Sequence, residues 1–279
     1  MKIMLRLELF KIFKRPRTYI SFGIVAAIAL VIELAMYADG KNFINFALQG
    51  INEQFDLRGN ILNGYLITYI ILQTLLVQIP LLVALVAGDA IAGEASMGTL
   101  RLLLTKPQSR SKVIIVKFVA SLCYALLLLL WLAIVALGLS VLIFGAGDMI
   151  NLKSDAMVII LKDDVLWRYI AAFAFAALAM ATVAALALLL SCFADNSIGP
   201  IVGTMGIIIV LMIFSTLDLP IFSVIKQYLF TTHMVGWKAF FDDPVPYKAV
   251  GTSAMVLLVY TFLFLGASIV WFNKKDIQS

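Results

Sequence analysis

The apolar positions of this chain fall in long unbroken runs, not at the spacing of a one-sided helix or a half-buried strand. Six runs occur, at roughly 18–37, 65–87, 114–144, 167–190, 199–216 and 250–272. A helix needs about 20 mostly apolar residues to cross a hydrocarbon core, so each run predicts one membrane span. The fourth, YIAAFAFAALAMATVAALALLL, carries no charge, and its alanines let a neighbouring helix come close. The third is long enough to span and to project beyond the membrane. The fifth is short and opens at Gly199-Pro200, where proline suits a first helical turn. Gly199 and Gly203 there have the small-xxx-small spacing of close helix packing.

Between and before the runs lie segments of other patterns. In residues 1–17, Ile3, Leu7 and Phe10 follow helical spacing, with Lys2, Arg6, Lys11 and Arg15 interleaved. This predicts an amphipathic helix on an anionic membrane surface, ending where the chain turns at Pro16. The apolar run that follows is longer than a signal-peptide core, and no clear A-x-A site comes after it, so it reads as an uncleaved first span. Residues 38–64 and 145–166 read as polar and partly ordered. Residues 217–249 are amphipathic and rich in aromatics. They predict helices dipping into the outer interface, with a plain loop bearing interfacial aromatics as the alternative.

Composition strengthens the membrane reading. The 279 residues are 63% hydrophobic and 13% charged, with a mean hydropathy of +1.05, against about 45–50% and about 25% in soluble domains. Cys123 and Cys192 lack the C-x-x-C spacing of a metal or redox pair, and read as small buried apolar residues. His233 is the one histidine, so a zinc site or a His-based triad has little to build with. The basic residues form no aromatic-interleaved patch, so the net charge of +5 is no nucleic-acid signal. With six spans, 13 of the 21 Lys and Arg fall on the side of both termini, and ten of the sixteen acids fall on the other. The positive-inside rule then makes the termini, and the loop between the second and third spans, cytoplasmic.

That loop, GDAIAGEASMGTLRLLLTKPQSRSKVIIVK, is short and chemically dense. Leu100, Leu103 and Leu104 can share one helix face, with Arg101 and Lys106 elsewhere. Pro107 has no N–H to continue that helix, and Ser109 is a candidate cap for the next. The pattern predicts a helix, a break, a short amphipathic helix, a second break and a helix: a rigid knuckle over residues 88–112. Without His, Cys or paired carboxylates it suits docking, not catalysis.

The same stretch resembles the signature loop of type-2 ABC exporter permeases, in which Glu is followed by Gly-Thr, a Leu-rich stretch, Pro, Ser-Arg and Lys. The matching positions are Glu94, Gly98, Thr99, Leu100, Pro107, Ser109, Arg110 and Lys117. The tail WFNKKDI is similar to a common ending of these permeases through Phe272, Lys275, Asp276 and Ile277. The resemblance implies an all-α integral membrane protein, a single permease domain over 1–279. It has six spans, an N-terminal interfacial helix, a cytoplasmic coupling helix between spans two and three, and re-entrant helices between spans five and six. It implies that Glu94, Gly98, Thr99, Leu100, Arg101, Leu103, Leu104, Pro107, Ser109 and Arg110 meet a separate ABC ATPase subunit. It further implies two such ATPases, a second permease copy or close paralogue, and residence in a bacterial inner membrane among lipids. ATP and Mg would be used by the partner, with no cofactor on this chain, because no G-x-x-x-x-G-K-[ST] occurs in it. The chain is then a transport subunit and not an enzyme. The substrate is not legible in the sequence.

Three polar residues inside the runs are pathway candidates: Glu33, and Gln73 and Gln78 beside Pro80. An acid within a span is a functional candidate by default, although Glu33 lies near the outer end of its run and could simply reach water. Asp195-Asn196 reads as a polar turn. Two other classes compete. A secondary transporter or channel would work without nucleotide and commonly shows inverted repeats, of which the sequence has no sign. A lipid-modifying enzyme would need catalytic pairs inside the bilayer, and no convincing pair occurs.

Overall fold

The computed structural model describes residues 1–47, 61–99, 109–152, 157–217 and 225–274. It is mostly helical. Helix α1 is Lys2–Lys14, α2 is Pro16–Ala47, α3 is Gly64–Thr74, α4 is Gln78–Ala87 and α5 is Asp89–Ser96. Helix α6, Arg110–Leu132, continues through a π-helical segment, Ala133–Leu139, into α7, Ser140–Phe144. Strands β1 (Met149–Leu152) and β2 (Met157–Ile160) follow, then α8 (Lys162–Phe193), α9 (Ile198–Thr216) and α10 (Phe230–Met234). A 3-10 segment, Val235–Phe241, and α11, Tyr247–Lys274, complete the described chain.

Among the described residues five helices are long and apolar enough to cross a membrane: 16–40 within α2, the continuous 110–144, α8, α9 and α11. The protein is thus a multi-pass, largely α-helical membrane protein. Helices α3 and α4 pass the same test together but are bent by 53° across a short break. Residues 65–87, which the hydropathy pattern joins into one span, are therefore two helices. The cause is local. Pro80 is the third residue of α4, where its missing N–H costs little, but its ring cannot coexist with a straight helix through the preceding turn. The chain breaks at Leu75–Val77, just before it.

Helix α8 is the centre of the bundle. Of its most apolar stretch 61% is buried, against 22–33% for the other spans. Its alanines allow α4, α6, α9 and α11 to pack around it. The other spans turn large apolar side chains outward, for example Val31 and Leu34 on α2 and Phe262 and Leu263 on α11, as lipid-facing helices do.

The bundle has two distinct ends. At one, Asn63 donates to the Asp148 carbonyl (2.7 Å) and Asn151 to the Phe241 carbonyl (3.1 Å). Arg168, almost fully buried, donates to the carbonyls of Phe240 and Asp242 at 3.2 and 2.6 Å. These bonds tie α3, the β-hairpin, the start of α8 and the 3-10 segment together. The antiparallel hairpin, with Met149 opposite Ile160, is a departure from the purely helical expectation. Residues 145–166 alternate too briefly to announce strands. The other end gathers α1, α5, the start of α6 and the ends of α8 and α11.

Candidate functional site

Helix α5 begins at Asp89, immediately after α4, and its first free amides need partners. Buried Ser191 of α8 supplies one: its Oγ accepts from the amides of Ile91 and Ala92 at 3.1 and 2.9 Å. This pins α5 to the central helix. Gly93, four residues after Asp89, leaves room for the Asp89 side chain. A Cβ there would lie 2.3 Å from Asp89 Oδ1.

Two ion-pair nodes then lock α5 in place. Asp89 is 5% exposed. Its Oδ2 accepts from Arg15 and Arg17, on either side of Pro16, and its Oδ1 accepts from Ser197 just before α9. One turn on, Glu94 is also 5% exposed. Its Oε1 accepts from Lys11 of α1 at 2.7 Å, and its Oε2 lies 2.9 Å from Lys117 Nζ of α6. Lys117, 2% exposed, also reaches Glu8 Oε2 at 3.2 Å and donates to the Ala90 carbonyl at 2.7 Å. Lys11 returns to Glu8 Oε1 at 2.8 Å. Glu8, Lys11, Glu94 and Lys117 thus form a closed ring of alternating charge joining α1, α5 and α6, beside a cavity of about 30 Å³ that Asp89, Arg15 and Arg17 also line.

The ring sets the protonation of its members. Burial pushes the Glu94 carboxyl up, but attraction to Lys117 and the hydrogen bonds from Lys11 and Lys117 prevail and hold it below the usual carboxylate value. For Lys11, burial favours the neutral amine, and the hydrogen bonds to Glu8 and Glu94 outweigh it, raising the ammonium above its ordinary value. Both groups are charged at neutral pH.

The loop predicted to dock leaves directly from this site. Gly98, at φ +69°, ends α5 in the left-handed conformation glycine tolerates, and its amide donates to the Ala95 carbonyl at 3.0 Å. Thr99 Oγ1 donates back to the Glu94 carbonyl at 3.2 Å. Leu100, Arg101, Leu103, Leu104 and Pro107 lie outside the described residues. Ser109 occupies the cap position of α6, but its side chain makes no capping bond. Instead its backbone carbonyl accepts from Lys112 and Val113. Arg110 turns to the end of α11, donating to the carbonyls of Phe272 and Asn273 at 3.3 and 3.2 Å. There it satisfies carbonyls a helix end leaves open. Beside Met97 an open cleft of about 330 Å³ is lined by Arg15, Arg17 and Ser96, among others.

The residues expected to act in the loop thus divide. Glu94 faces inward as part of the ring, and Arg110 braces a neighbouring helix. Asp89, Glu8 and Ser197 were not singled out from the sequence, and Lys11 was read only as part of the basic face of α1. Glu8, the one acid before Glu33, was the available signal: an acid in a basic helix asks for a cation elsewhere. The pathway candidates do not gather. Glu33 meets Ser140, while Gln73 accepts from Lys238 of the 3-10 segment at 2.5 Å. Gln78 begins α4, and its Oε1 is buried without a hydrogen-bond partner among the described residues.

The family described as Protein of unknown function (DUF2705) matches residues 23–278. The chain belongs to that family. No curated protein matches it. The DUF2705 match takes in Asp89, Glu94, Lys117 and Ser197, whereas the α1 side of the ring, Glu8 and Lys11, precedes it. Among the described residues no group of three or more His, Cys, Asp and Glu is arranged to hold a metal ion.

Proposed function

We propose that this protein is the membrane-spanning permease subunit of an ATP-driven exporter of the ABC type, with ATP hydrolysis on a separate partner subunit. The observation that carries the reading is the anchoring of the loop at its root. The ring of Glu8, Lys11, Glu94 and Lys117 clamps the helices on both sides of residues 97–109 to each other and to α1. The Asp89 node clamps the first of them to α2 and α9. A push on the loop would therefore move several spans as one body instead of bending a hinge. Such a root suits a coupling element and is more than a solvated turn requires. The resemblance of Glu94, Gly98, Thr99, Ser109, Arg110 and Lys117 to the exporter signature supports the same reading. In it, the termini and this loop face the cytoplasm of an inner membrane, two permease chains enclose the pathway, and the paired ATPases dock on Leu100, Leu103 and Leu104.

The test is to combine Leu103→Ala with Arg101→Glu. Truncating a buried interface anchor costs about 2 kcal/mol or more, over tenfold in affinity. The double variant is expected to insert normally but to lose ATP-driven transport, and cysteines placed over 98–110 are expected to crosslink to the ATPase in the native sequence. Normal transport by the double variant, without any crosslink, would remove the reading. Transport that persists with the ATPase deleted would instead favour a secondary transporter or channel.

A further inference from the structure

The buried face of α2 is a single stripe: Ser21, Val25, Ala29, Glu33 and Met36, spaced as one side of a helix. Glu33 therefore points into the packing seam with α3 and the π-helical segment, and not toward lipid. It is 2% exposed. Its Oε1 accepts from fully buried Ser140, at the end of the π segment, at 2.8 Å. Its Oε2 is buried, and among the described residues has no hydrogen-bond partner.

The surroundings explain why no other described residue reaches it. Helix α3 presses so closely that a Cβ on Gly64 would lie 2.5 Å from the Ser140 carbonyl oxygen. The nearby hydroxyl of Thr68 is already directed at the carbonyls of Gly64 and Ala136, at 2.7 and 3.0 Å. Helix α3, the π segment and α7 contain no charged residue. The titratable groups of α3 are Tyr65, stacked on Tyr169, and Tyr69, packed against Trp237 and Phe241. On α2, Tyr37 packs against Phe144, and Asp39 accepts from Asn42. Lys41 follows about 12 Å further along the axis at 1.5 Å per residue. The charges of α1 and α6 gather at the opposite end, around Glu94.

A carboxylate in such a seam, with one hydroxyl as its partner among the described residues, loses far more hydration than it regains, and a buried group so placed takes up a proton instead. In the protonated carboxyl Oε1 still accepts from Ser140 and the proton sits on Oε2, where an unpaired neutral hydroxyl costs far less than an unpaired buried charge. We propose that Glu33 and Ser140 form a proton-binding site inside the membrane, in which Glu33 holds its proton while the seam between α2 and the π segment is closed. Parting of the seam admits water, and the proton leaves. This goes beyond the transport reading and does not depend on it.

The probe is the apolar reagent dicyclohexylcarbodiimide, applied to the full chain in its native membrane. The carboxyl proton passes to a carbodiimide nitrogen and the carboxylate oxygen bonds to the central carbon. The adduct then rearranges to a stable N-acylurea, so labelling reads a protonated carboxyl in apolar surroundings. Peptide mass spectrometry is expected to find the adduct on Glu33 near neutral pH, to see it vanish in Glu33→Gln, and to find no Glu33 adduct with a water-soluble carbodiimide. Because glutamine mimics the protonated form and still accepts from Ser140, Glu33→Gln is also expected to keep the thermal stability of the native chain in detergent. An unlabelled Glu33, or a glutamine variant that melts as early as one that breaks the ring at Lys117, would overturn the site. Neither readout involves an ATPase, so the outcome is separable from that of the transport test.

Discussion

Glu94 and Glu33 are equally hidden, yet the chain has treated them in opposite ways. Glu94 sits in a ring with two lysines and a second carboxylate, where each charge touches two of opposite sign. Among the described residues Glu33 has one hydroxyl as its partner. Burial alone thus says little about a carboxyl. What decides its state is whether cations were buried with it. The ring stays ionised and binds three helices through charge, while the seam is neutral and binds two through packing with a single hydrogen bond.

The sharpest way to break the comparison is to remove a cation from the ring. Lys117→Met leaves Glu8 and Glu94 facing each other with only half-exposed Lys11 between them. Breaking a buried pair from one side costs about 3–5 kcal/mol, so this variant is expected to show a clearly lowered unfolding temperature in detergent, with α1 becoming accessible to protease. A wild-type melting temperature would show that the ring does not hold the helices.

In the seam, the corresponding change is Ser140→Ala. It removes the one donor that Glu33 has among the described residues and strands a neutral oxygen, not a charge, so the expected loss is about 1–3 kcal/mol, the cost of leaving a buried neutral acceptor unpaired. A loss as large as that of Lys117→Met would mean that Glu33 is ionised and that the two sites are alike.

The smallest effect is the pH dependence of the ring. The Glu94 carboxyl is lowered in the folded protein, so its contribution is complete above the ordinary value of 4.5 and fades as pH falls through the lowered one. Lys11 is raised, so its contribution is complete below 10.5 and fades as pH climbs through the raised value. Lys11 is 42% exposed, and solvent screening keeps its share small. The stability difference between the native chain and Glu94→Gln is therefore expected to be flat between those limits and to shrink on the acid side. A difference that grows on acidification would reverse the assignment.

Much of the layout was legible without coordinates, because lipid imposes a long-range rule on sequence: about 20 apolar residues per crossing. Four of the six runs emerged as single long helices, and a fifth, 18–37, lies inside α2. The turn at Pro16 and the dense polar stretch after α4 were equally visible, since proline and charge act where they stand. The break at Leu75–Val77 was half legible. Pro80 predicts a kink, but its size depends on what the two half-helices pack against. The hairpin at 149–160 was not legible, because a two-stranded ribbon is stabilised by the neighbours it meets, here Asn63 and Phe241.

The sequence by itself determined that this is a membrane protein, where its long apolar helices run, and that a charged loop lies between two apolar runs. Those properties follow from each residue's own transfer energy and backbone preference. Only the tertiary structure decided which charges are partners. Glu94 and Lys117 are 23 positions apart, and Glu94 and Lys11 83, while Glu33 meets a hydroxyl 107 positions on. Electrostatic and hydrogen-bonding energies depend on distance in space over a few ångströms, and chain separation carries no record of that distance until the helices have packed.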